Sequence, residues 1–142
     1  MSKTFERQSS FGWLVNALAS QAAKRLDGEL KKHGLTIALW PTMMCLWEEE
    51  GVTQREISDK SKVENSTTTR TLDKLEKLEL VVRRADPNSR RSYQIFLTDK
   101  GRSLKEVLLP IPLTLNQQVL SPLEQDEQQE LIRLLQKVLS NL

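Results

Sequence analysis

Apolar residues recur at intervals of three and four from about Ser9 to His33, placing Trp13, Leu14, Ala17, Leu18, Ala22, Leu26 and Leu30 on one face. That spacing predicts a long amphipathic helix, closed by Gly34 just past its C-cap. Thr36 opens a second helical pattern carrying Leu39, Met43, Met44, Leu46 and Trp47, and Gly51 ends it. Pro41 either occupies the first turn of a helix starting there or kinks one that began at Thr36. Thr53-Gln54-Arg55-Glu56 reads as a capping box, in which hydroxyl and carboxylate each satisfy a free amide of a short helix ending near Lys60. After only Ser61-Lys62-Val63 a further helix follows, capped by Asn65 or Glu64, with Thr68, Leu72, Leu75 and Leu78 on one face. Two helices joined by so short a turn form a helix-turn-helix.

The period then changes. Leu80-Val81-Val82-Arg83-Arg84 and Ser92-Tyr93-Gln94-Ile95-Phe96-Leu97 are β-prone, and Asp86-Pro87-Asn88-Ser89 between them is rich in turn formers. This predicts a two-stranded hairpin whose basic tip contains Arg90 and Arg91. Thr98 caps a helix toward Leu109, where Pro110 and Pro112 break or bend it. Ser121-Pro122-Leu123-Glu124 predicts one more helix start, with Ser as N-cap and Pro in the first turn. The last helix carries Leu131, Ile132, Leu134, Leu135, Val138, Leu139 and Leu142. The fold expected is mainly α with a small β wing.

Charge sharpens this picture. The whole chain of 142 residues has a formal charge of only +2. Residues 60–105, however, hold twelve basic and six acidic side chains, a local excess of +6. A basic region confined to the middle third is the electrostatic footprint of a polyanion partner. The major groove of DNA, about 12 Å wide, admits one helix whose first turns meet the base edges. Ser66, Thr67, Thr69, Arg70 and Lys74 are the candidate contacts there, with Arg70 able to grip guanine bidentately. Arg90 and Arg91 are the candidate wing contacts, since narrow minor grooves attract arginine. Taken singly, a polar helix face or a solvated hairpin explains each feature as well. Their order along the chain favours double-stranded DNA.

The segment from Leu35 to Gly101 resembles the MarR family of bacterial regulators. The matching residues are Leu35-Thr36, Thr53-Gln54-x-Glu56-Ile57-Ser58, Ser66-Thr67-x-Thr69-Arg70-x-Leu72-Asp73-x-Leu75-Glu76, Leu80-Val81 and Arg91-x5-Leu97-Thr98-x2-Gly101. The resemblance implies a winged-helix transcription factor that acts as a homodimer, often a repressor released by a phenolic or other small ligand. It implies base contacts from Ser66, Thr67 and Arg70 and wing contacts from Arg90 and Arg91. It divides the chain into one domain, 1–142, with dimerisation helices at 1–34 and 104–142 and a DNA-binding lobe at 35–103. Two departures stand out: Ser89 replaces the family's usual Asp two residues before the wing arginine, and Pro110 and Pro112 interrupt a normally long helix.

The apolar stripes of the first and last helices are too wide for a thin winged-helix core to cover, so burial between two copies is expected; packing on their own domain is the alternative. Trp13, Trp40, Met43 and Met44, with Trp47, are candidates to line a site for a small aromatic effector, although such a stripe also serves as plain core. Peroxide-sensing members of the family use a cysteine near the N-terminus. Here the single Cys, Cys45, sits in the apolar stretch Met43–Trp47 with no adjoining base, which argues against a redox role. One His and one Cys exclude a paired-cysteine zinc finger and a multi-His metal site. Glu48-Glu49-Glu50 reads as a solvated helix end. No phosphate-binding glycine loop or nucleophile with a His partner is present, so neither an enzyme nor a cofactor is expected. No stretch is apolar enough to span a membrane and MSKTFERQSS lacks a signal-peptide core, so a cytoplasmic protein is expected. The rival readings are a winged-helix module for protein interaction and a DNA-binding regulator without an effector.

Overall fold

The structure, a computed structural model, describes residues 4–142. Helix α1 (Phe11–Lys31) ends as its sequence predicts. Gly34 adopts a left-handed φ of 74°. It donates its N–H to the Lys31 carbonyl at 3.1 Å, while the N–H of Leu35 reaches the Leu30 carbonyl at 3.1 Å. This pair of bonds satisfies carbonyls the helix leaves free, and the side chains of Leu30 and Leu35 are both buried.

Both alternatives for Pro41 are partly realised. A single 3-10 turn, Ile37–Leu39, follows Thr36, and helix α2 (Trp40–Glu48) then takes Pro41 into its first turn, where no N–H is needed. The helix stops at Glu48, three residues before Gly51. Gly51 instead lies in the link, at φ 78°, and donates its N–H to the Ile95 carbonyl at 2.8 Å.

That link carries a strand missed by the sequence pattern. Strand β1 (Val52–Thr53) pairs with β3 (Ser89–Leu97), which in turn pairs with β2 (Val81–Asp86), giving a three-stranded antiparallel sheet in the order β1-β3-β2. The wing is therefore not a free hairpin. Ile95, opposite both Val52 and Arg83, anchors it to the core and is 0% exposed.

Helix α3 (Gln54–Ser61) follows β1 directly, and helix α4 (Asn65–Lys77) begins after a short turn. Only half of the expected capping box forms. Thr53 Oγ1 accepts the Glu56 N–H at 3.2 Å, but the Glu56 carboxylate accepts from the Thr53 hydroxyl rather than from its backbone. Thr53 is paired into the sheet opposite Gln94, which constrains its main chain. The turn between α3 and α4 places Lys62 in the left-handed region at φ 58°, with the Val63 N–H returning to Ser58 O at 3.2 Å. Glu79 (φ 62°) closes α4 in the same way, with Leu80 N–H on Leu75 O at 2.9 Å.

The core lies beneath the helix-turn-helix. Leu46, Ile57, Leu72, Leu75 and Ile95 are each at most 1% exposed there. Trp47 meets Trp40 edge-on at 5.6 Å and donates its indole N–H to Gly101 O at 3.0 Å. Helix α5 (Asp99–Leu108) is capped by Thr98, as expected. Leu109 then separates it from α6 (Pro110–Leu120), because neither proline can donate to the preceding turn.

The last helix starts later than Ser121-Pro122 predicts. Ser121 is the C-cap of α6 and donates its hydroxyl to Gln118 O at 2.8 Å. Helix α7 (Gln125–Leu139) instead uses Glu124 and Glu127 as its reciprocal cap. Helices α1, α6 and α7 together contain a single buried residue, Leu30. Among the described residues no helix is long and apolar enough to cross a membrane.

Candidate nucleic-acid interface

Helix α4 shows two faces. Thr68, Thr71, Leu72 and Leu75 are buried. Ser66, Thr67, Thr69, Arg70 and Lys74 are exposed. The run of small hydroxyl residues, uniform in sequence, is divided by the helix. The Thr68 hydroxyl accepts from Ser58 Oγ at 2.9 Å in the buried seam between α3 and α4. Ser66 and Thr67 point outward with Arg70, where their small size permits close approach of a groove.

The wing disposes its cations by a break in register. Ala85 lies opposite Tyr93 and Asp86 opposite Ser89, so Arg90, Arg91 and Ser92 are extra residues on β3. Pro87-Asn88 form the turn, held by the Asp86 carboxylate accepting the Asn88 N–H at 2.9 Å. Ser89, where an Asp was expected, accepts the Arg91 N–H through its hydroxyl at 3.3 Å. Arg90 and Arg91 are both exposed.

Two acidic side chains of α4 are engaged by the wing. Arg83 of β2 donates to Asp73 of α4 at 2.9 Å, and Glu76 lies 3.0 Å from its Nε without aligning as an acceptor. Arg83 thereby offsets one of the two negative charges that Asp73 and Glu76 place on α4. Among the described residues Arg70, Lys74, Arg90 and Arg91 form no ion pair. Arg84 instead lies over the Phe96 ring at 4.8 Å.

Between the starts of α3 and α4 and the wing runs a groove of about 330 Å³, lined by Arg55, Arg83 and Arg91 together with Gln54, Asn65 and Tyr93, and by no carboxylate among the described residues. Of the candidate contacts it includes Arg91 alone, and it adds Arg55 and Asn65 at the starts of α3 and α4. None of Gln54, Arg55, Asn65 and Tyr93 stands among the contacts that the sequence suggests. The local pattern of Gln54 and Arg55 speaks only of a helix start, and nothing in it shows that Asn65 lies alongside. Tyr93, 54% exposed, precedes the buried Ile95 and Leu97 on β3, and a lone exposed aromatic carries no signal of its own.

The residues proposed for an effector are dispersed. Met43 is 1% exposed in the core, Trp40 and Met44 are half-buried against it, and Trp13 is 47% exposed on α1 with Arg7 5.0 Å above its ring. Cys45 is buried, and burial, followed by the Glu48 charge, pushes its thiol pKa up, away from reactive thiolate. Glu48-Glu49-Glu50 is not uniformly solvated: Glu49 pairs with Lys60 at 3.2 Å, and Glu50 is bound by Arg102.

Comparison with known proteins agrees with this architecture. The sequence profile of the MarR family matches residues 35–93, the helix-turn-helix and most of the wing. The chain is 35% identical over 106 residues to the HTH-type transcriptional regulator TtmR of Methylorubrum extorquens, spanning 75% of this chain and 54% of that protein. It is 30% identical over 131 residues to the HTH-type transcriptional regulator SarZ of Staphylococcus haemolyticus, spanning 91% of this chain and 86% of the relative. Its fold matches a mutant MarR of E. coli complexed with operator DNA with a TM-score of 0.86 and 26% identity, over 97% of this chain and 99% of that one. With a winged helix-turn-helix in place and a regulator similar to it over nearly its whole length, the chain belongs to the MarR family.

Proposed function

We propose that the chain is a sequence-specific, double-stranded-DNA-binding transcriptional regulator that acts as a homodimer on a pseudo-palindromic operator, as a repressor. The observation that carries this reading is the set of exposed cations without acidic partners among the described residues, Arg70 and Lys74 on α4 and Arg90 and Arg91 on the wing, beside a groove lined by Arg55, Arg83 and Arg91. Ser66, Thr67 and Arg70 read bases in the major groove, and Thr69 and Lys74 flank them. Arg90 and Arg91 enter the adjacent minor groove.

Burial supports the homodimer. Leu14, Leu18, Ile132, Leu134 and Val138 are 44–49% exposed, and Leu139 is 65% exposed. A single copy leaves these side chains in water, and each gains about 1.5–3 kcal/mol when fully covered. A closed two-fold interface covers them and sets two α4 helices about 34–36 Å apart, one turn of DNA. Occupation of such a site within a promoter gives repression by excluding polymerase.

Sedimentation equilibrium tests the assembly. The wild-type chain sediments as a dimer, and a Leu18→Glu/Val138→Glu variant sediments as a folded monomer that loses operator affinity. A monomeric wild type that binds one half-site contradicts the reading.

A further inference from the structure

Gln54 begins α3 and reaches across to the start of α4. Its amide nitrogen lies 3.2 Å from Asn65 O, 3.1 Å from Asn65 Oδ1 and within hydrogen-bond reach of Thr69 Oγ1. A main-chain carbonyl can only accept, so this contact fixes which end of the Gln54 amide faces α4. The Ser58 hydroxyl, one turn further along α3, lies 3.4 Å from the same Asn65 Oδ1, but its one proton goes to Thr68 Oγ1 at 2.9 Å. The Asn65 side-chain oxygen is thus held inward by the Gln54 amide. Its amide nitrogen, the other end of the planar group, faces away from α3 and has no protein partner among the described residues. Asn65 is exposed and lines the groove of Arg55, Arg83 and Arg91.

We infer that Asn65 is a further DNA-contacting residue, its amide fixed as a donor by Gln54 and directed at a backbone phosphate oxygen lying in the arginine-lined groove. The inference rests on the DNA-binding function proposed above. An unconstrained asparagine presents donor and acceptor alike and suits adenine. One whose oxygen is engaged presents only N–H, which suits phosphate, an acceptor without donors. Thr69 is drawn into the same arrangement: its hydroxyl donates to Asn65 O at 3.0 Å and accepts from Gln54, so its one proton is used within the protein. Gln54 is accordingly a positioning residue, and Thr69 acts through it and Asn65.

The test measures fluorescence anisotropy on an operator duplex and on a random duplex, with thermal unfolding in parallel. Asn65→Ala lowers affinity for both duplexes by the same factor, about five- to tenfold. Asn65→Asp lowers it further, because an acceptor with a negative charge then faces the phosphate. Gln54→Ala costs affinity in the wild-type background but adds nothing to Asn65→Ala. A role confined to stability shifts the unfolding midpoint and leaves affinity below that midpoint unchanged. Wild-type affinity in Asn65→Ala, a change of preference at one base pair, or additive losses in the double variant overturn the inference while leaving DNA binding intact. Failure of the wild-type chain to bind either duplex overturns both.

Discussion

Arg102 grips Glu50 with two parallel hydrogen bonds, Nε to Oε2 and Nη2 to Oε1, each 2.9 Å long. The same carboxylate accepts the backbone N–H of Leu97 at 2.9 Å. One side chain in the link after α2 thereby holds the end of β3 and the first turn of α5, the point where the wing joins the helices that follow it. Hydrogen bonds from Arg102 first, and from the Leu97 N–H as well, hold the Glu50 carboxyl below its ordinary pKa of 4.5 despite the opposing effect of burial.

A depressed carboxylate pKa stabilises the fold above the unfolded-state value and loses that contribution as pH falls toward the folded-state value. Stability of the wild type therefore declines below about pH 4.5 partly through Glu50. Glu50→Gln removes this part of the acid slope and lowers stability at neutral pH by about 1 kcal/mol. Urea unfolding at several pH values between neutrality and strong acid checks both effects. An acid slope unchanged in Glu50→Gln contradicts the assignment.

Gly101 makes a second prediction at the same corner. A Cβ there would sit 2.3 Å from the Leu80 carbonyl oxygen, which is backbone and cannot yield, and the Gly101 carbonyl also receives the Trp47 indole. Gly12, in the first turn of α1, would place a Cβ in open space, with nothing within 4 Å. Gly101→Ala is expected to destabilise by more than about 2 kcal/mol, as overpacking does, whereas Gly12→Ala stabilises by up to about 1 kcal/mol. Thermal denaturation of the two variants should move in opposite directions. Equal midpoints would refute the close approach.

Arg70 and Arg90 are expected to fail differently. Arg70→Ala relaxes sequence preference, with a loss of about 1–3 kcal/mol on the operator and much less on random duplex. Arg90→Ala weakens both duplexes alike and reduces the salt slope by about one. Titration of each variant against both duplexes at several salt concentrations separates these outcomes. Equal losses on both duplexes for Arg70→Ala would remove it from base reading.

Much of the fold was legible because its signals are local. The four-residue spacing of Leu26 and Leu30, the cap at Thr98, and the break at Pro110 each act within one or two turns of chain. The features that escaped depend on distant partners or on unfavoured conformations. Val52-Thr53 is too short to show a strand period and pairs only because Ile95 and Gln94 arrive alongside. Lys62 and Glu79 take left-handed turns usually marked by glycine, so neither helix end announces itself. At the candidate interface the exposed residues of α4 could be chosen by periodicity, whereas the bond from Gln54 to Asn65 spans eleven positions and has no signature along the chain. Ser121-Pro122 misled for a related reason: a good helix-start pattern lost to Glu124 and Glu127, which cap each other three residues on.

Whether two copies of this chain read DNA sequence is decided by selecting bound duplexes from a random pool and titrating the winner with salt. The expected result is a pseudo-palindrome with half-sites one helical turn apart, bound by two chains, with affinity falling steeply as salt rises. Weak binding with no preferred sequence would contradict a dimeric regulator and turn the basic surface toward an acidic protein partner.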